Sequence, residues 1–270
     1  MIENHIGKDS RRTFYWTSGK GKICLLFIHG ATADHLLFRH QIDYFQKQFK
    51  VIAVDAPAHG KSRPYPDFKL KIAADEIISI LDAEEIGKAH LVGQSMGGYI
   101  SQIVARFYPD RIKSMVMVGS SPIQPKYYSK LDNWLLKITP PILKAYPYGM
   151  LIKAIANQVS STVDGKKYML DTLKGYSKNE ISDIMKEVYL GVQSYRKNEA
   201  LSIPTLLTYG SEDRTGKVQA YNNAWAKEEK LQLEIIPNAA HNANMDNPIY
   251  FNKLVKEFVE EVENISSRNL

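Results

Sequence analysis

Gly93-Gln94-Ser95-Met96-Gly97 has the form G-x-S-x-G, and its flanks decide how the chain is read. The apolar run His90-Leu91-Val92 precedes it. Gly98-Tyr99-Ile100-Ser101-Gln102-Ile103 follows, with a helical pattern. A serine on a sharp strand-to-helix turn sits in a strained conformation, and flanking glycines let neighbouring backbone pack closely around it. Ser95 Oγ then projects above the carboxyl ends of the strands. The N–H groups and positive dipole end of the following helix suit a developing anion. A serine that merely caps the helix would fit the same five residues, so the rest of the chain must discriminate.

Outward from Ser95, short β-rich runs alternate with longer helical patterns. Strands are predicted at Ile23 to Ile28, Val51 to Asp55, His90 to Gly93, Ser114 to Val118, Thr205 to Gly210 and Leu231 to Ile236. Several are apolar at consecutive positions, as parallel strands covered on both faces are. Helical spacing marks Ile72 to Leu81, Tyr99 to Phe107, Val218 to Lys230 and Ile249 to Val262. Such alternation implies right-handed crossovers and a largely parallel sheet. Phe14 to Thr17 adds an earlier strand, read as antiparallel and joined to Ile23 through Ser18 to Gly21. Between about Ser121 and Pro204 the alternation stops. That stretch, rich in proline and aromatics, reads as a helical insertion.

A serine hydroxyl needs an adjacent base to attack at neutral pH. Of seven histidines, His241 is best placed, in the small-residue loop Pro237 to Asn242 after a strand and before the last helix. The base needs a carboxylate to fix its tautomer. Asp213 follows the strand Thr205 to Tyr209, with Glu212 as its nearest rival. Gly119-Ser120-Ser121, at the end of another strand, offers no acid. The oxyanion needs N–H donors. One is assigned to Met96, the other to Ala31 in the loop His29-Gly30-Ala31-Thr32-Ala33, where Gly30 allows a tight turn. His29 either holds this loop in place or packs at a strand end, and packing is the preferred reading.

Composition narrows the classes. The 270 residues are 44% hydrophobic, with net charge +6. Lys and Arg are scattered among Asp and Glu, so no nucleic-acid partner is expected. Cys24 stands alone and cannot form an intrachain disulfide, in keeping with a reducing, cytoplasmic location. The polar first twelve residues lack a signal-peptide core, and no apolar run is long enough to span a bilayer. No stable membrane association is expected. No dinucleotide fingerprint, Walker loop or zinc cluster occurs, so no cofactor and no metal are expected. A monomer or homodimer fits.

The chain resembles the α/β-hydrolase superfamily, in its compact serine esterase and lipase branch. His29-Gly30, Asp55-Ala56-Pro57-Ala58-His59-Gly60-Lys61-Ser62, the Ser95 turn and the His241 loop lie in the expected order, and Ser95, Asp213, His241 is that fold's triad order. The usual pattern has glycine where this chain has Ala58. The resemblance implies an eight-stranded, mostly parallel sheet flanked by helices. It implies a core of residues 1–120 and 205–270 and a helical cap of residues 121–204. Gly30, Tyr127, Tyr128, Trp134 and Tyr148 are expected to line an apolar site for a small ester-like molecule. Met96 after the nucleophile also occurs in esterases, perhydrolase-like enzymes and carbon–carbon hydrolases. The expected reaction is ester hydrolysis through an acyl-enzyme. A carbon–carbon, lactone or amide hydrolase on the same triad, or a binding protein with a slow triad, remains open. Leu131 to Val159 also reads as a basic amphipathic lid touching lipid, interrupted by its prolines.

Overall fold

Consecutive apolar residues build the middle of one sheet. The computed structural model describes residues 1–192, 194 and 198–268. Its strands are β1 (Ile2–Lys8), β2 (Arg11–Ser18), β3 (Cys24–Ile28), β4 (Lys50–Val54), β5 (Ala89–Gln94), β6 (Ile112–Val118), β7 (Thr205–Gly210) and β8 (Gln232–Ile236). Every residue of β3, β5 and β7 is buried. The order is β1-β2-β4-β3-β5-β6-β7-β8. From β4 to β8 all neighbours are parallel, while β1 pairs antiparallel with β2, and β2 with β4.

The helices are α1 (Arg39–Phe45), α2 (Leu70–Ala83), α3 (Met96–Phe107), α4 (Lys130–Ala145), α5 (Tyr148–Val159), α6 (Val163–Lys174), α7 (Lys178–Val192), α8 (Val218–Glu229), α9 (Ala243–Asp246) and α10 (Pro248–Arg268). The chain leaves β3 through α1 toward β4, in one direction across the sheet. It leaves β5 through α3 toward β6, in the other. Right-handed crossovers therefore place α1 on the opposite face from α2, α3 and α8. The reversal opens a crevice at the carboxyl ends of β3 and β5, where α/β sheets bind ligands.

Two details of the sheet lie beyond the strands read from the sequence. Residues 2–8 form a strand where only a polar terminus was expected, because no residue of β1 is buried and no alternating pattern marks it. The early strand is antiparallel as expected, but β4 lies between it and β3 instead of the two forming a hairpin. Ala58, where the family pattern has glycine, adopts φ 66°. That left-handed backbone explains why glycine is usual there.

Between β6 and β7 the chain forms α4 to α7, with α4 packed on α7 and α5 on α6. Asp246 accepts hydrogen bonds from the Ser161 and Thr162 amides (2.8 and 3.2 Å) and the Thr162 hydroxyl (2.8 Å). Val159 accepts from the Asn242 amide at 2.7 Å. The α5–α6 pair is thus tied to the loop that carries His241.

Candidate active site

Ser95 directly follows β5 with φ 49° and ψ −111°, a region costing an L-residue about 1–3 kcal/mol. Neighbouring backbone holds it there. Its N–H donates to Val118 of β6 at 2.8 Å, and its carbonyl accepts from Gly98 at 3.0 Å. The glycines are demanded by contact: a Cβ on Gly93 would lie 2.5 Å from the Gly97 backbone, and one on Gly97 1.9 Å from the Ile28 carbonyl. Residues 89–94 and 96–98 are buried, while Ser95 is partly exposed. The turn presents this one side chain to the crevice.

His241 and Asp213 arrive from the ends of β8 and β7. The imidazole Nδ1–H donates to Asp213 Oδ2 at 2.8 Å, and both residues are buried. Asp213 Oδ1 accepts from the Thr215 amide at 2.8 Å. Burial pushes the Asp213 carboxyl up, but the facing His241 and the Thr215 donors outweigh it and hold the group below its ordinary value. Glu212 is exposed and does not reach the imidazole.

The elbow lies beside that pair. Gln94 Nε2 donates to the His241 carbonyl at 3.1 Å. A Cβ on Gly119, which follows the Val118 that holds Ser95, would lie 2.9 Å from His241 Nδ1. Asp213 and His241 are hydrogen-bonded, whereas Ser95 Oγ makes no hydrogen bond to His241 among the described residues. His241 Nε2 is therefore uncommitted. Contacts between nucleophile and base commonly tighten only when substrate is bound.

Across the crevice, Gly30 lies two residues past the end of β3. A Cβ there would lie 2.0 Å from Gln94 Oε1 and 3.3 Å from Ser95 Cβ, so the loop abuts the elbow. The backbone N–H groups of Ala31 and Met96 have no acceptor among the described residues. His29 does more than pack: its Nδ1–H donates to the Gly30 carbonyl at 2.7 Å, and its Nε2 accepts from the Ala56 amide at 3.0 Å. It braces the Gly30–Ala31 turn.

The aromatics expected over the site divide. Tyr128 lies against Tyr99 in the first turn of α3 and packs on Tyr221 at 4.8 Å. Tyr127 is turned toward α8. Its hydroxyl is held by Glu229 at 3.1 Å, at the end of α8 that leads into β8, the edge where strands begin. Trp134 stands 55% exposed on α4. Tyr148 is committed to joining helices, its hydroxyl donating to the Tyr176 carbonyl at 2.8 Å. A cavity of about 1070 Å³ opens elsewhere, between the loop 63–69 and α7, and none of Ser95, Asp213 and His241 lines it. Sequence reading missed two residues that shape the site. Gln94 bridges elbow and base loop. Asp246 accepts from the Ala240 amide at 3.0 Å, beside His241. Asp246 reads in sequence only as a helix-start residue ahead of Pro248, and its cross-chain contacts leave no local signal.

Three further histidines are sealed in the fold. Burial holds His29 and His90 below the ordinary value of 6.5, and His59 down to about 3. The unfolded chain binds these protons near 6.5, and the folded chain binds them only at lower pH. Their stabilising contribution is therefore complete above 6.5 and declines as pH falls toward the folded values. Each such group contributes a slope of up to about 1.4 kcal/mol per pH unit in that window. The denaturant midpoint should fall steadily from pH 7 to pH 5, and less steeply in His59→Gln. A flat midpoint over that range would contradict neutral burial of these rings.

A family model described as the alpha/beta hydrolase fold matches residues 23–248. The chain belongs to the α/β-hydrolase family. It is 25% identical to the pimeloyl-[acyl-carrier protein] methyl ester esterase of Wigglesworthia glossinidia brevipalpis, over 93% of this chain and 99% of that protein. It is 24% identical to 3-oxoadipate enol-lactonase 1 of Acinetobacter baylyi, over 88% of this chain and 89% of that protein. A hydrolase from Pseudomonas aeruginosa PA01 shares the fold, with TM-score 0.78 and 19% identity, over 95% of this chain and 98% of that one. Relatives that are esterases, hydrolases and lactonases support a hydrolase.

Proposed function

We propose that the chain is a serine hydrolase that cleaves carboxylic esters of small to medium apolar acyl groups. The observation that carries this reading is the buried 2.8 Å bond from His241 Nδ1 to Asp213, with Nε2 left free beside the strained Ser95 turn. Asp213 fixes the tautomer in which Nε2 can accept a proton. Ser95 Oγ then attacks the ester carbonyl while His241 takes its proton. The Ala31 and Met96 amides stabilise the oxyanion. His241 returns the proton to the leaving alcohol, and water activated by the same imidazole releases the acid. Residues 1–120 and 205–270 serve as catalytic core, and residues 121–204 as a cap that shapes the acyl site, with Tyr128 on its wall.

A second reading is lactone hydrolysis on the same machinery, favoured by the resemblance to an enol-lactonase over most of both chains. A fluorophosphonate probe separates any serine hydrolase from a binding protein. We expect one adduct, on the peptide carrying Ser95, and protection by a competing short-chain ester. No adduct, or an adduct at another serine, counts against the reading. A panel of open esters and lactones of matched carbon number then chooses between the two substrates.

A further inference from the structure

The helices between β6 and β7 carry a surface that hydrolysis leaves unused. Leu131, Trp134, Leu135, Ile138 and Ile142 fall within about 100° of one another around α4, on one stripe. The four largest exposures among them are 58, 55, 40 and 48%, for Leu131, Trp134, Leu135 and Ile142. Tyr146, which caps α4, and Met150, in the first turn of α5, are also exposed, at 50 and 57%. The helix continues through Pro140 and Pro141, so the prolines expected to interrupt it do not break the stripe. Lys130, Lys137 and Lys144 recur at seven-residue spacing and form a row along one edge; Lys144 is paired with Asp183 of α7 at 3.4 Å, whereas Lys130 and Lys137 make no ion pair among the described residues. The one acidic residue of α4, Asp132, is buried and held by Lys217 at 2.6 Å. Contiguous exposed apolar surface of this kind marks an interaction site.

We propose that this face of α4 lies on an anionic lipid surface, with the leucine, isoleucine and tryptophan side chains in the acyl boundary and the lysine row on the headgroups. A helix with an apolar face, a tryptophan and a cationic border lies in that interface plane. Charge complementarity selects this occupant. A second copy would bring the same lysine row; α4 presents no exposed carboxylate to meet it, and the neighbouring Asp183 of α7 is already paired with Lys144. The surface is also a convex helix, which a flat bilayer accepts and a protein partner must enclose in a groove. Among the described residues no helix is long and apolar enough to cross a membrane, so the association is peripheral. It departs from the expectation of no stable membrane contact. It goes beyond the hydrolytic reading and does not rest on it, since vesicle binding needs no turnover.

Flotation with vesicles tests it, using wild-type protein and Ser95→Ala. Both should float with equal parts phosphatidylglycerol and phosphatidylcholine at low salt, and neither with phosphatidylcholine alone. Added salt should weaken binding. Tryptophan emission should shift to the blue on binding, and Trp134→Phe should remove that shift. Each lysine near an anionic surface is worth about fivefold in partitioning, so Lys130→Glu with Lys137→Glu should lower it about 25-fold or more. Leu135→Ser with Ile142→Ser should abolish it. Both double variants should keep the wild-type circular dichroism spectrum and thermal midpoint, which shows that they are folded. Absence of flotation by folded protein overturns the proposal. So does binding indifferent to both double variants. A concentration-dependent dimer lost in Leu135→Ser with Ile142→Ser, without vesicle binding, assigns the face to a second copy and overturns it as well. Capture of an acidic protein without vesicle binding does the same.

Discussion

Ser95→Ala is expected to lower kcat for a short nitrophenyl ester by on the order of 10⁴- to 10⁶-fold. The residual rate would come from the Ala31 and Met96 amides and from binding alone. The fold should be unharmed. Ser95 Oγ makes no hydrogen bond among the described residues, so its loss orphans no buried partner. The elbow is held by backbone bonds to Val118 and Gly98, which alanine keeps. Alanine is also no worse than serine at φ 49°. The measurement is turnover beside thermal midpoint. Activity within tenfold of wild type at an unchanged midpoint would remove Ser95 from the chemistry. Loss of both would mean that the turn, not the hydroxyl, had been damaged.

The fold was legible where the physics is local. Ile23 to Ile28 is apolar without a break and Thr205 to Gly210 is interrupted only by threonine, a strand former; short runs of this kind are what a strand covered on both faces uses. The elbow was legible because a strained turn needs glycines at fixed offsets, which leaves a trace in five residues. What escaped is whatever depends on distant partners. β1 buries no residue, so its strand rests on pairing with β2 instead of an apolar alternation. Whether an aromatic faces a site or merely docks a helix is set by packing. Tyr127 and Tyr128 are adjacent in sequence, yet one meets Glu229 and the other Tyr99. Trp134 looked like a lining residue because a large apolar side chain is usually covered, and its exposure could be read only once α4 had a direction. Gln94 and Asp246 act across 147 and 85 residues of chain, distances at which composition carries no signal.

Asp213→Asn should be nearly as damaging as loss of the nucleophile, and it probes a different link. The native carboxylate accepts twice, from His241 Nδ1–H and from the Thr215 amide. An asparagine can keep the Thr215 bond only by aiming its oxygen there, which turns its NH₂ donors toward the imidazole. Two donors cannot pair, so the ring is driven to carry its proton on Nε2 and accept through Nδ1. In that tautomer Nε2 cannot take the proton from Ser95. A loss of about 10⁴-fold in kcat is therefore expected with little change in KM, because ester binding does not require the base. The imidazolium formed during attack also loses its counter-charge, which adds to the barrier in a site this buried. Glu212→Gln is the control: its side chain is exposed and makes no contact with the ring, so turnover should stay within about twofold of wild type. If Asp213→Asn retained a tenth of wild-type turnover while Glu212→Gln fell by orders of magnitude, the acid would have been assigned to the wrong one of two neighbouring carboxylates.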